Sequence, residues 1–126
     1  MRPTQAEWRI LDMLWQNGPS TLMELQRALE KDTGWSKHAV LSFLKRMEIK
    51  GSVRAEKKGR ASVYTALLDR EQAGAQETLS VAQQAFRGSV LSMMSNLVER
   101  EELSDSEIDE LLALLHKAKI GKEERK

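Results

Sequence analysis

Residues 36–66 read SKHAVLSFLKRMEIKGSVRAEKKGRASVYTA, and this stretch decides the fold of the chain. Ser36 can cap a helix, because its hydroxyl can accept a hydrogen bond from a backbone amide in the first turn. Gly51 ends that helix, since glycine is a poor continuer of helical backbone. Between the two, apolar side chains recur at helical spacing and predict one buried face made of Val40, Phe43, Leu44 and Met47.

The rest of the stretch predicts a β-hairpin. Residues 52–56 and 61–66 alternate in character along the chain, which is the period of a half-buried strand. Residues 57–60, Lys-Lys-Gly-Arg, predict a basic turn that joins the two strands. A helix that leads directly into a hairpin is therefore expected at the centre of the fold.

Two further helices are predicted upstream of this stretch. Thr4 with Glu7, and Thr21 with Glu24, form capping-box patterns, in which the two side chains satisfy each other's backbone amides. The inward residues expected at helical spacing are Trp8, Leu11, Leu14 and Trp15 in the first helix, and Leu22, Leu25, Ala28 and Leu29 in the second. Three short helices followed by a hairpin predict a winged helix-turn-helix over residues 1–68.

From Asp69 onward the chain is predicted to be helical again, over residues 69–120, with a flexible charged tail at 121–126. This segment has too few large apolar residues to form a core as a monomer. We expect its apolar stripes to pair with those of a second copy, and the alternative that they fold back onto the winged helix stays open. The expected dimer residues are Phe86, Val90, Met94, Leu97, Ile108, Leu111, Leu112 and Leu115. The predicted fold class is mainly α with a small β-hairpin, a winged helix-turn-helix followed by a C-terminal helical dimerisation region.

The net charge of +1 hides an uneven distribution of basic residues. Residues 36–60 hold eight basic side chains against two acidic ones, which is the pattern of a phosphate-binding surface. A recognition helix reads base edges in the major groove near its N-terminal end, and basic hairpin residues contact phosphates. The expected contacts to double-stranded DNA are Ser36, Lys37, His38, Ser42, Lys45, Arg46, Arg54, Lys57, Lys58 and Arg60. Leu41 is apolar on the same outer face, and it either touches a thymine methyl group or packs against the second helix.

Several classes of protein are not expected from this composition. The chain has no cysteine, so disulfides and thiolate metal ligands are excluded. No apolar run is long enough to span a bilayer, and no secretion signal precedes the first helix, so we expect a cytoplasmic protein. The two histidines, His38 and His116, lie in different halves and form no catalytic set. We therefore expect no enzyme activity, no metal and no cofactor.

Short motifs spread along nearly the whole chain resemble, in their order and spacing, the BlaI/MecI/CopY family of winged-helix repressors. The matching motifs are Thr4-x-x-Glu7-Trp8 with Leu14-Trp15; Gly34-Trp35-Ser36; Val40 and Phe43-Leu44-x-Arg46-Met47 ahead of Lys50-Gly51; Gly59-Arg60-Ala61 with Tyr64; and Asn96-Leu97-Val98-Glu99 before Leu103-Ser104 and Glu107-Ile108. The resemblance implies a homodimer that binds a palindromic operator and represses a downstream gene or operon, for example one for resistance or stress. Lys37 stands where some members have proline, so the operator preference of the family is not carried over.

The resemblance also implies a mode of induction. In the β-lactam-responsive members, a membrane sensor's signal leads to proteolysis after an asparagine that precedes a phenylalanine. The matching pair here is Asn96–Leu97, which differs in its second residue. Two interpretations stay open, a cleavage site for a sensor-linked protease or a leucine that simply belongs to the dimer core. Copper-responsive members carry a cysteine cluster near the C-terminus, and its absence argues against copper sensing.

Two functions therefore follow from the sequence. The first is a DNA-binding repressor, and the second is a winged helix that docks on an acidic protein partner. Discrimination between duplex sequences together with a steep salt dependence distinguishes them, because a docking module has no reason to prefer one operator.

Overall fold

Three helices followed by a β-hairpin occur in the order that the sequence predicts, which confirms the winged helix, and a short third strand lies between the first two helices. The computed structural model describes residues 2–125. The elements, numbered along the chain, are α1 (Gln5–Asn17), β1 (Ser20–Thr21), α2 (Leu22–Thr33), α3 (Lys37–Lys50), β2 (Val53–Lys58), β3 (Ala61–Ala66), α4 (Arg70–Phe86), α5 (Val90–Glu99) and α6 (Asp105–Glu124). They form two compact units, Met1–Thr78 and Leu79–Lys126. The division falls within α4, whereas the sequence placed it at residue 68.

The sheet is antiparallel with strand order β1-β3-β2. β1 was not predicted, because a strand of two residues has no period to detect. It pairs Ser20 with Tyr64 and Thr21 with Val63. Thr21 also caps α2, since its hydroxyl accepts a hydrogen bond from the Glu24 amide at 3.2 Å.

The hairpin turn is shorter than predicted. Lys57 and Lys58 belong to β2, where they pair with Ser62 and Ala61 of β3. The turn therefore consists of Gly59 and Arg60 alone, and Gly59 has φ +65°, a backbone conformation that favours glycine. The prediction of a four-residue basic turn is wrong in length, because the ladder continues through both lysines.

The core of the first unit lies between the three helices and the inner face of the sheet. α3 buries Val40, Leu44 and Met47 completely, as its helical spacing predicts. Ala28 does not join them, because it is exposed on the outer side of α2, and its predicted inward position is wrong. The other members of the core cluster are Ile10, Leu11, Leu14, Leu25, Leu29, Val53 and Tyr64.

A buried carboxylate ties the start of α1 to the end of α3. Glu7 is 2% exposed, and its Oε1 accepts a hydrogen bond from the Thr4 amide at 2.9 Å. Lys50 Nζ donates to both carboxylate oxygens of Glu7, at 2.7 and 3.1 Å. One side chain thus completes the capping box of α1 and pairs with the last residue of α3, which satisfies a charge that would be costly to bury alone.

The second unit holds the end of α4 together with α5 and α6. The predicted break at residues 87–89 is confirmed, since Arg87 (φ +52°) and Gly88 (φ +83°) leave helical backbone. α6 begins at the predicted capping box of Ser104 and Glu107. It continues to Glu124, so residues 121–124, predicted as the start of a flexible tail, are helical.

Within residues 2–125, no helix is long and apolar enough to cross a membrane.

The buried ion pair can be tested by Glu7→Gln, which keeps a hydrogen-bonding oxygen but removes the charge opposite Lys50. We expect a loss of roughly 1–3 kcal/mol in the free energy of unfolding, because the ammonium group is left in a poorly solvated site. The measurement is urea denaturation followed by circular dichroism.

Glu24→Gln is the matched control for this variant. Glu24 has the same capping-box role in α2, but it is exposed and makes no ion pair among residues 2–125. We expect a smaller loss for Glu24→Gln. Equal losses would show that replacing the capping carboxylate by an amide, and not the loss of the ion pair, carries the effect.

Candidate nucleic-acid interface

The outer face of α3 is polar at its N-terminal end and free of contacts with the core. Ser36 caps the helix by accepting a hydrogen bond from the Ala39 amide at 3.2 Å. His38, Ser42 and Lys45 recur at intervals of four and three residues, and all three are exposed. They lie on one face because that spacing returns to the same side of a helix.

Lys37 and Arg46 flank this face, and both are exposed. Sequence reasoning missed Ile49, which is 87% exposed and continues the same face four residues after Lys45. The sequence does contain a signal for its exposure, since Ile49 falls outside the helically spaced apolar stripe that ends at Met47. The face therefore changes from polar to apolar toward the C-terminal end of α3.

The hairpin of β2 and β3, residues 53–66, is the wing, and its cations are divided between two faces of the sheet. Residues alternate along β2, so Val53, Ala55 and Lys57 share one face, while Arg54 and Lys58 share the other. Lys57 lies opposite Ser62 of β3, whose face also carries Tyr64. Arg60 lies in the turn between the strands. The four wing cations expected at the interface thus do not all point in one direction.

A groove of about 330 Å³ lies between the start of α2, α3 and the wing. Leu41 lines it together with Leu22 and Met23 of α2, which favours the interpretation that Leu41 contacts the second helix. Burial raises the pKa of the Tyr64 phenol, and the nearby Glu48 carboxylate raises it further. The remaining lining residues are Thr21, Arg60, Ala61, Ser62 and Tyr64.

In the part of the chain that the structure describes, the cations of α3 and the wing other than Lys50 form no ion pair with a carboxylate. Within residues 2–125 the ion pairs are Arg2–Glu77, Lys50–Glu7 and Arg70–Asp12. Lys50 is therefore removed from the basic cluster, and the other seven basic side chains of residues 36–60 face solvent without an acidic partner. An unneutralised cluster of this kind attracts a polyanion.

The sequence matches the profile of one family of known proteins. A profile of the penicillinase repressor family matches residues 3–117, which span parts of both units. The chain belongs to this family. The resemblance that the sequence motifs indicated is thereby confirmed.

Two relatives in this family cover nearly the full chain. The penicillinase repressor of Bacillus licheniformis is 29% identical over 121 residues, which are 96% of this chain and 94% of that protein. The methicillin resistance regulatory protein MecI of Staphylococcus aureus strain N315 is 23% identical over 114 residues, which are 90% of this chain and 93% of that protein.

Solved structures of relatives match the winged-helix part. The DNA binding domain of the repressor BlaI is 26% identical with a TM-score of 0.51, and the match covers 57% of this chain and 93% of that one. The monomeric form of Bacillus licheniformis BlaI in complex with the blaP half-operator gives the same identity and TM-score, and the match covers 57% of this chain and 88% of that one.

The division of the wing cations generates a test. Lys57→Ala should reduce the slope of log affinity against log salt concentration by about 0.9, because one phosphate contact is lost. Arg54→Ala removes the same charge from the opposite face of β2 and should leave the slope nearly unchanged. The measurement is fluorescence anisotropy of a labelled duplex at several salt concentrations. Equal reductions for both variants would contradict the assignment of faces.

Proposed function

We propose that this protein represses transcription by binding a palindromic operator in double-stranded DNA as a homodimer. The observation that carries the proposal is the set of unneutralised cations and polar side chains on the outer face of α3 and on the wing. Membership of a family described as repressors supports the same function, and neither the fold nor the family suggests an enzyme.

The outer face of α3 supplies the groups that can read base edges. Lys37 and Lys45 are donors suited to the acceptor pair of guanine, and Ser42 can contact either base type. His38 can donate or accept a hydrogen bond. In the BlaI complex a related protein is bound to a half-operator, which supports placing α3 of this chain in the major groove.

The basic wing residues position the protein on the duplex. We assign Lys57 to a phosphate contact because it lies on the same face of the wing as the groove beside α3. Arg60, in the turn, can reach the same backbone or the adjacent minor groove. Such contacts set the register and contribute affinity but carry little sequence information.

The second unit supplies the dimer interface in this proposal. Taken by itself, it leaves large apolar side chains uncovered, and Leu115 is 58% exposed. A contiguous apolar surface of this kind marks an interaction site. The exposed residues include five of the eight expected dimer residues, Val90, Leu97, Ile108, Leu112 and Leu115, and four that were not expected, Leu91, Val98, Leu114 and Ile120.

A groove of about 460 Å³ runs between α5 and α6 within this unit. Val90, Met94, Leu111 and Leu115, all expected dimer residues, line it. Phe86 lies outside the groove and is half-buried at the end of α4. We assign the groove to a second copy of this chain, since a two-fold interface presents the same apolar patch from both subunits.

A two-fold dimer explains why the operator is expected to be palindromic. Two recognition helices related by a two-fold axis read inverted half-sites about 34 Å apart, one turn of DNA. The names of the relatives refer to penicillinase and methicillin resistance. We infer that the controlled genes form a resistance or stress operon, and that repression takes place in the cytoplasm, where the DNA lies.

Relief of repression by a sensor-linked protease acting between Asn96 and Leu97 fits the same arrangement. Both residues are exposed near the end of α5. Their carbonyls accept hydrogen bonds from the amides of Arg100 and Glu102, at 3.1 and 3.2 Å. Because proteases cut exposed and locally unfolded segments, the last turn of α5 must unwind first. A cut there separates α5 from α6 and dismantles the groove assigned to the second copy.

The function is tested by titrating the purified protein onto the duplex upstream of its own gene and onto a scrambled duplex, at two salt concentrations. We expect preferential binding at two protomers per site, with an affinity that falls by orders of magnitude as salt rises. Fluorescence anisotropy measures both quantities. Equal, weak binding to both duplexes, with no duplex preferred after selection from genomic fragments, would favour a winged helix that docks on an acidic protein.

The dimer is tested by Leu115→Asp. A carboxylate in the α5–α6 groove should weaken association by at least about tenfold, because burying an unpaired charge is costly. Leu67→Asp is the control, since Leu67 is 51% exposed in the first unit and the substitution adds the same charge. Sedimentation equilibrium measures association, and a Leu115→Asp variant that dimerises like the wild type would refute this interface.

A further inference from the structure

The first residues of α4 are held against α1 by side chains. Arg70 stacks over the Trp15 ring, with its guanidinium carbon 5.1 Å from the ring centroid. The same guanidinium donates to Asp12 Oδ1 at 2.8 Å. Trp15 Nε1 donates to the Leu68 carbonyl at 2.9 Å. We call Asp12, Trp15, Leu68 and Arg70 the α4 clamp, and all four belong to the first unit.

A second tie lies further along the same face of α4. Arg2 donates from Nε and Nη2 to the two carboxylate oxygens of Glu77, and this hydrogen bonding lowers the pKa of Glu77. Arg70, Ala73 and Glu77 are three and four residues apart, so they lie on one side of the helix. Ala73, between the two ties, is 2% exposed. The first two turns of α4 are therefore docked on the winged helix along a continuous face.

The clamp residues lie on α1, on α4 and in the connection just before α4, and not on α3 or the wing, so we expect them to make no contact with base edges. The clamp fixes the direction in which α4 leaves the winged helix. Because α4 is one helix from Arg70 to Phe86, a change in this direction would alter the path of the chain between the recognition helix and the dimer region of the proposed homodimer.

We propose that the α4 clamp sets the half-site spacing that the repressor accepts. This inference rests on the proposed function, since spacing has meaning only for a dimer on a palindrome. A cation–π contact and an ion pair on a partly exposed surface are each weak. The clamp is therefore strong enough to favour one spacing but not to forbid others.

The test uses the full-length protein and a palindromic duplex recovered by its selection from a randomised library. The same duplex is prepared with one base pair inserted or removed at its centre, with about five inserted to rotate one half-site by half a turn, and as an isolated half-site. Arg70→Met removes the charge but keeps an apolar side chain against Trp15. Arg9→Met, at an exposed position on α1, is the control for the lost charge.

For Arg70→Met we expect affinity for the half-site to be unchanged and affinity for the original palindrome to fall about three- to tenfold. The ratio of the affinity for the original palindrome to the affinity for the duplexes changed by one base pair should fall by a similar factor. Asp12→Asn should lower the affinity for the original palindrome and the preference for its spacing by smaller factors. Arg9→Met should change neither quantity. Sedimentation equilibrium checks that all variants still dimerise.

The outcomes distinguish failure of the proposed dimer from failure of the clamp proposal. Wild-type protein that binds the half-site and the palindrome equally, whatever the spacing, would overturn the proposed dimer and the clamp proposal with it. Wild-type protein that discriminates between spacings, together with an Arg70→Met variant that discriminates equally, would overturn the clamp proposal alone. A uniform loss for Arg70→Met on every duplex, the half-site included, would also overturn it, because the effect would then lie in the winged helix itself.

Discussion

Burial of one face of α3 is the constraint on which the rest of the structure depends. Val40, Leu44 and Met47 are fully buried, and a helix so anchored cannot rotate without exposing them to water. Since complete burial of each such side chain stabilises the fold by roughly 1.5–3 kcal/mol, the opposite face is fixed toward solvent. The polar and basic groups of that face are positioned by the core beneath them, and the Glu7–Lys50 pair holds the end of the same helix.

In the second unit, unlike the first, most large apolar side chains are exposed. Its buried apolar side chains among residues 2–125 are Ala82 and Met93, which is too little for an independent core, and its large apolar residues face outward along α5 and α6. The winged helix has its own buried core, whereas the large apolar side chains of the second unit are mostly exposed. This contrast is the basis for proposing that the first unit binds DNA and that the second unit joins two copies of the chain.

Sequence reasoning was sound where structure is local and failed where it depends on distant residues. The caps of α1, α2, α3 and α6 and the buried stripe of α3 follow from neighbouring residues, and all are confirmed. β1 has only two residues, and the face of Lys57 depends on β2 continuing through Lys58, whereas the sequence places both lysines in the turn. Arg70 and Asp12 are 58 residues apart, and no pattern along the chain indicates that they meet. Thus the candidate DNA contacts could be named from the sequence, but their division between faces could not.

The most direct test of the central claim is amide NMR of the protein titrated with a selected operator duplex. If α3 and the groove side of the wing bind DNA, the largest shift changes will fall in residues 36–46 and 57–62, and residues 105–124 of α6 will change little. The largest changes in α6, with α3 and the wing unaffected, would contradict the assignment of the two units.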